Sequence, residues 1–242
     1  MIQIEVDTHT HTVLSGHGWS TLKENIEGAV SRKLKGICLT EHAPAMPGSC
    51  PDFVGGTSKI LPESDRGVHI IMGSEYNIMN FDGVIDITNP RYLAYIQFGI
   101  ASLHEVVIQP GRADEHTQAF IQALQNPYVD IVGHPGNPAF PCHIEEVVLA
   151  AKNANKMVEI NNNSFRSRKG CKENCYQFAK YCKQHDVRIC VSSDAHYYQS
   201  VGVFDEAIAM LEELRFPQEL ILNGRYETFK AYLDERTKRI SA

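Results

Sequence analysis

Residues 6–20, VDTHTHTVLSGHGWS, place His9, His11 and His17 within nine positions. More residues of the same chemical kind are spread along the chain: His42 in TEH, Glu75, His104, His134 in HPGNP, and Asp194 with His196 in SSDAH. Neutral imidazoles with a few carboxylates suit Zn²⁺, and also iron or manganese, and no thiolate stands among them. His9 and His11 are two apart, so on an extended segment both rings point to one side; Asp194 and His196 repeat the arrangement. Nine candidate ligands exceed what one four-coordinate ion takes and suit two or three ions. A lone histidine at a strand end is usually a hydrogen-bonded surface or core residue. A set recurring at one kind of position calls for a different explanation.

The spacing says what must hold the set together. From His42 onward, Glu75, His104, His134 and Asp194 follow at intervals of 33, 29, 30 and 60 residues. One βα unit takes roughly 30 residues, so the last interval spans two units. Short apolar runs, mostly β-branched, predict strands at Ile2–Val6, Gly36–Leu39, His69–Gly73, Gly99–Ser102, Asp130–Gly133, Met157–Ile160 and Arg188–Ser192. Thr21 and Glu24 form a T-x-x-E capping box that opens a helix running to about Leu34. Further helices are expected near 115–125, 144–155, 173–185, 203–214 and 226–238. The stretches 43–68 and 76–98 are expected to be long loops with short helices. Each candidate ligand then follows a strand, and the sixth strand ends instead in Asn161, Asn162 and Asn163. In an open sheet, edge strands lie too far apart to share one site. In a closed barrel all carboxyl ends converge on one mouth. The spacing therefore predicts an α/β barrel of parallel strands.

Bulk properties narrow the chemistry. A net charge of −6 is poor for binding nucleic acid, whose phosphates need an excess of Lys and Arg. No apolar stretch reaches membrane-spanning length. The start, MIQIEVD, lacks the basic and apolar pattern of a secretory signal. The seven cysteines are odd in number and irregularly spaced, which argues against a disulfide framework, so a reducing, cytoplasmic location is expected. Cys171 and Cys175 can share a helix face but lack two further ligands. Cys182 and Arg188 match C-x5-R, yet that phosphate-binding signature needs a strand running into a helix, and here a helix runs into a strand. His69, His116, His143 and His185 fall at strand or helix positions away from the mouth. No linker divides the chain, so residues 1–242 are expected to form one domain.

The set D-T-H-T-H, TEH, Glu75, His104, HPGNP and SSDAH resembles the PHP superfamily, named for polymerase and histidinol phosphatase. Within it, HTVLSGHGWSTL, EINN and SRKG are similar to segments of the YcdX-type phosphatases. The resemblance implies a distorted TIM-like (β/α)7 barrel with a centre of three divalent metal ions, zinc foremost. It implies that His9, His11, Glu75 and Asp194 hold one ion, that Glu75 bridges to a second held with His104 and His134, and that His17, His42 and His196 hold the third. Glu75 and Asp194 would be the catalytic carboxylates, with a metal-activated water as nucleophile. The family's usual TDH is TEH here, which bears on the surroundings of His42. Three divalent ions against two carboxylates leave roughly +4, a well for a dianionic phosphate. The expected partner is a small phosphorylated substrate, with a homo-oligomer as an open alternative and neither nucleic acid nor membrane. The loop SFRSRKG opens onto the same mouth, and Arg168 and Lys169 are the expected substrate-binding pair; a solvated basic loop is the plainer reading. The expected activity is phosphomonoester hydrolysis. Histidinol-phosphatase, phosphodiesterase or nuclease activity, and a non-catalytic metal-binding scaffold, are the alternatives.

Overall fold

The computed structural model describes residues 2–241. Seven parallel strands lie side by side: β1 (Val6–Thr10), β2 (Gly36–Leu39), β4 (Val68–Asn77), β5 (Phe98–Ser102), β6 (Ile131–Val132), β7 (Met157–Asn161) and β8 (Ile189–Ser192). The helices are α1 (Leu22–Ser31), α2 (Val54–Thr57), α3 (Pro90–Leu93), α4 (Ala113–Gln125), α5 (Ile144–Asn153), α6 (Ser164–Ser167), α7 (Cys171–Gln184), α8 (Asp205–Glu213) and α9 (Tyr226–Ser241). The expected capping box is present: Thr21 N donates to Glu24 Oε2 at 2.7 Å, and Glu24 N donates back to Thr21 Oγ1 at 3.4 Å. Among the described residues, no helix is long and apolar enough to cross a membrane.

Two strands differ usefully from expectation. The first begins at Val6, not Ile2, and carries His9 inside it. Its polar residues are buried, and Asp7, His9 and Thr10 find partners in other strands or in the chain after β8. Thr10 Oγ1 donates to Cys38 O at 2.8 Å, and Asp7 accepts from Ser193 N at 3.0 Å and Gly202 N at 2.8 Å. Hydrophobicity alone misses a strand whose polar groups are satisfied internally. The third long strand, β4, runs on to Asn77, so Glu75 stands within it rather than after it. A two-residue strand, β3 (Ser64–Asp65), pairs antiparallel with β4 and was not expected.

The sheet closes almost completely. Above, Thr10 bridges Ala195 and His11 N donates to Ala195 O at 2.8 Å. Below, the gap between β1 and β8 is filled by one side chain. Asn223 Nδ2 donates to Val6 O at 2.7 Å and to Val191 O at 2.6 Å, while its Oδ1 accepts from Val191 N at 3.0 Å. A buried amide thereby supplies the hydrogen bonds that a paired strand would have made.

The lower barrel is apolar, filled by Val6, Cys38, Ile71, Phe98, Ile131 and Met157. Phe229 and Tyr232 of α9 join it from beneath. The same helix sends Arg236 Nε to Asp130 Oδ2 at 2.6 Å and Tyr232 OH to Asp130 Oδ1 at 2.7 Å. The amino end of the barrel is thus plugged, and the polar residues of the strands collect at the carboxyl end.

Candidate metal centre

Glu75 stands at the middle of the mouth, buried to 1% exposure. His9 Nε2 lies 3.3 Å and His11 Nε2 3.5 Å from its Oε2. On the other oxygen, Oε1, stand His134 Nε2 at 3.0 Å and His104 Nε2 at 3.2 Å. Asp194 Oδ1 completes the first group, 3.3 Å from His11 Nε2 and 3.7 Å from His9 Nε2. A third group gathers at the rim, where His17 Nε2 and His196 Nε2 face each other at 3.0 Å. His42 lies between the groups: its Nδ1 is 2.8 Å from Glu75 Oε2 and its ring stacks on His17 at 4.9 Å between centroids. Two of the residues sit in strained backbone: His134 at φ +29° and Asp194 at φ +50° are left-handed without being glycine.

The distances suit bound cations. Ligand atoms about 2.1 Å from a tetrahedral ion stand roughly 3.4 Å from one another. Seven buried side-chain atoms among the described residues lack a well-formed hydrogen bond: Asn25 Oδ1, Tyr76 OH and Ser102 Oγ, and, close together, His9 Nε2, His11 Nε2, His42 Nδ1 and Glu75 Oε2, although almost every buried polar atom finds one. These last four atoms all belong to the cluster around Glu75.

The opposite ring nitrogens are tied, which fixes the tautomers. His9 Nδ1 donates to Glu159 Oε1 at 2.6 Å. His104 Nδ1 donates to Asn77 Oδ1 at 2.8 Å, and Asn77 in turn donates to Asp86 Oδ2 at 2.7 Å. His196 Nδ1 donates to Asp194 O at 3.1 Å. His11 Nδ1 meets Ser15 Oγ at 2.9 Å, and Ser15 donates its own proton to Glu41 Oε2 at 2.5 Å. The hydroxyl must therefore accept from His11. Each of these four imidazoles keeps its other nitrogen for the mouth, the arrangement that orients histidine ligands toward a metal. Glu41 also accepts from Thr12 Oγ1 at 2.6 Å, so the glutamate of TEH clamps the loop between His11 and His17.

Burial and neighbouring charge divide the histidines. Burial, then His42 and His196, hold His11 well below the usual imidazole range. Burial and then Arg168 bring His134 down to about 4. Burial also opposes charge on His9, but Glu159, Glu75 and Asp194 outweigh it and raise its pKa well above the usual value. Glu75 and Asp194 are held well below the carboxylate range: burial works against their ionisation, and His9 is the first of the charges that overcome it. Three buried carboxylates, Glu75, Asp194 and Glu159, thus converge on rings that include the neutral His11 and His134. Buried negative charge of this density is costly without cations to compensate it.

Residues 7–241 match the PHP domain. The chain belongs to the PHP domain family. A protein of Acetivibrio thermocellus named a probable phosphatase is 44% identical over 235 residues, covering 97% of each chain. Another probable phosphatase, from Caldanaerobacter subterraneus subsp. tengcongensis, is 46% identical over 241 residues, covering 99% of this chain and 94% of its own length. Among solved structures, the histidinol phosphate phosphatase of Lactococcus lactis subsp. lactis, in complex with zinc, L-histidinol and phosphate, superposes with a TM-score of 0.60. That match covers 88% of this chain and 94% of the other at 18% identity, which speaks for a shared fold.

The PHP barrel brings all nine expected ligand residues to one mouth. Arg168 reaches its edge: NH1 donates to Ser164 Oγ at 2.8 Å and lies 3.6 Å from Asp194 Oδ2. Lys169 is exposed, with no hydrogen bond or ion pair among the described residues. Arg166 turns away toward Glu206 of α8, at 3.4 Å. Cys171 and Cys175 share one face of α7 with sulfurs 3.3 Å apart, and neither belongs to a metal-type cluster among the described residues. Cys182 is buried in the same helix, where desolvation raises its thiol pKa. Sequence reasoning missed Glu159. It is the acid in the otherwise uncharged strand run Met157–Asn161, and its carboxylate holds His9, Ser192 Oγ at 2.6 Å and His134 N at 2.5 Å together. A charged residue inside a buried strand was the available signal.

Proposed function

We propose that this chain is a metal-dependent phosphomonoesterase working with three divalent ions, zinc foremost and iron or manganese as alternatives. The observation that carries the reading is the set of unpartnered buried nitrogens and oxygen around Glu75. His9, His11, Glu75 and Asp194 would hold one ion. Glu75 would bridge to a second, held with His104 and His134. His17, His42 and His196 would hold the third. When bound, such ions supply Lewis-acid charge for phosphoryl oxygens and acidify water so that it can attack phosphorus. The names of the two bacterial relatives support phosphate-ester chemistry.

The protein's own groups set the geometry. Glu159, Ser15 with Glu41, and Asn77 with Asp86 lock the imidazoles before substrate arrives, so no reorganisation is needed during reaction. Arg168 stands beside Asp194, where its planar fork can take two phosphoryl oxygens, a grip Lys cannot offer. On a chain of net charge −6, three divalent ions would make the mouth locally cationic, which favours a compact dianion over a long polyanion.

The test is a panel of small phosphomonoesters, bis-phosphodiesters and oligonucleotides incubated with zinc-loaded protein. Monoesters should be cleaved at least about tenfold faster, a difference of roughly 1.4 kcal/mol in barrier. Faster cleavage of oligonucleotides would establish a nuclease instead, and no cleavage of any would establish a metal-binding scaffold.

A further inference from the structure

The loop between His11 and His17 is rigid, yet it presents apolar side chains to water. Thr12 and Ser15 are clamped by Glu41, and Val13 N donates to Ser20 O at 2.9 Å. Gly16 packs so closely on Gly48 that a Cβ there would lie 2.1 Å from Gly48 O. Between these anchors Val13 and Leu14 stand half exposed. Trp19, the only tryptophan of the chain, is 79% exposed, although its backbone N is pinned to His196 O at 2.7 Å. Tyr197, next to His196, is exposed as well, and Tyr198 N donates to Ser20 Oγ at 2.8 Å. Four apolar or aromatic side chains are therefore exposed on the anchored segments that carry His17 and His196. From Val13 and Leu14 the apolar surface continues into a cleft of about 250 Å³ lined by Leu22, Ile60 and Leu61. Folding gains nothing from holding these groups in water, and several exposed apolar side chains on the segments beside a site mark a place where something binds.

We propose that the rim of Val13, Leu14, Trp19 and Tyr197 seats the organic group of the substrate, so that the preferred substrates are phosphomonoesters of apolar, above all aromatic, alcohols. This rests on the phosphomonoesterase reading. The occupant follows from continuity: Trp19 is two residues from His17 and bonded through its backbone to His196, so a phosphate held at the ion those histidines would carry has its ester group within reach of the Trp19 segment. Arg168, beside Asp194 and His134, lies at another part of the mouth and leaves this flank free of cationic side chains from the SFRSRKG loop. A flat aromatic group would stack on an indole presented in this way.

Because Trp19 is the sole tryptophan, its fluorescence reports the rim directly and independently of turnover. The zinc-loaded full chain is titrated with 2-phenylethylphosphonate and with ethylphosphonate, neither of which is hydrolysed. The phenylethyl compound should change Trp19 emission saturably at about tenfold lower concentration, the effect of one good aromatic contact. An equal response to the two, or none, would overturn the proposal. So would emission that shifts with protein concentration alone, which would assign the rim to contact between two copies. In parallel, kcat/KM is compared for 2-phenylethyl phosphate and ethyl phosphate, whose leaving oxygens are alike. The protein should favour the former about tenfold, and Trp19→Ala should reduce that ratio below about threefold, chiefly through KM. If neither ester is hydrolysed, the phosphomonoesterase reading falls, while the fluorescence titration still decides the rim.

Discussion

Glu75 is the residue on which the centre turns, because its two oxygens serve different groups of histidines. Replacing it by Gln removes a charge opposed to two cations at once, whereas His17 belongs to one ion at the rim. Glu75→Gln should therefore lose more bound metal and more activity than His17→Ala, as elemental analysis and phosphate release would report; a Gln variant with full metal content would refute the bridge. His9 carries a second consequence. Its raised pKa means that the metal-free protein holds a proton on this ring at neutral pH, compensating Glu159, Glu75 and Asp194. That proton stabilises the metal-free fold below the usual imidazole pKa of about 6.5, and the contribution fades as pH rises through the higher folded value. A cation must displace it, so zinc uptake near neutral pH should release protons from His9, and affinity should rise with pH. Calorimetric titration in buffers of different ionisation enthalpy measures the release. A His9→Ala variant releasing as much as the unmodified chain would show that the proton comes from elsewhere.

The elements matter through what their ends hold. The segment α6 and the residues after it carry Arg168 into the mouth while Arg166 pairs with Glu206. Arg168→Ala should raise KM for a phosphomonoester several-fold with metal content unchanged, since a lost ground-state contact shows mainly in binding. Unchanged kinetics in an Arg168→Ala, Lys169→Ala double variant would return this loop to the surface. At the seam, Asn223→Ala leaves backbone groups of Val6 and Val191 without partners. It should cost about 2–4 kcal/mol in urea unfolding, and a loss under about 1 kcal/mol would mean that the seam does not depend on the amide. The barrel itself was legible because ligand-type residues recur at the period of a βα unit. The six long helices likewise fall where their apolar periodicity puts them. What escaped was set by tertiary partners. The polar strand Val6–Thr10 is stabilised by contacts with β2 and the loop after β8, Asn223 acts across 32 residues on Val191, and Glu159 acts across 150 on His9. No local pattern encodes such contacts, although an acid in a buried strand hints at one.

At the scale of the whole molecule, the plugged lower barrel and the polar mouth divide the work. Phe229, Tyr232 and the Arg236–Asp130 pair seal one end, so carboxylates and imidazoles can be concentrated at the other. The price is a mouth that is electrostatically incomplete without cations. Away from the ligand clusters, burial raises the pKa of Asp7 to about 6, although Ser193 and Gly202 donate to it. The central claim is that three ions in this mouth hydrolyse phosphomonoesters, and one titration tests it most directly. Zinc is added back to chelated protein while bound metal and phosphate release from a small monoester are measured on the same samples. Phosphate release should be absent without metal and reach its plateau as bound zinc approaches three per chain. A full rate in the metal-free protein, or saturation of both binding and activity at one ion per chain, would contradict the account.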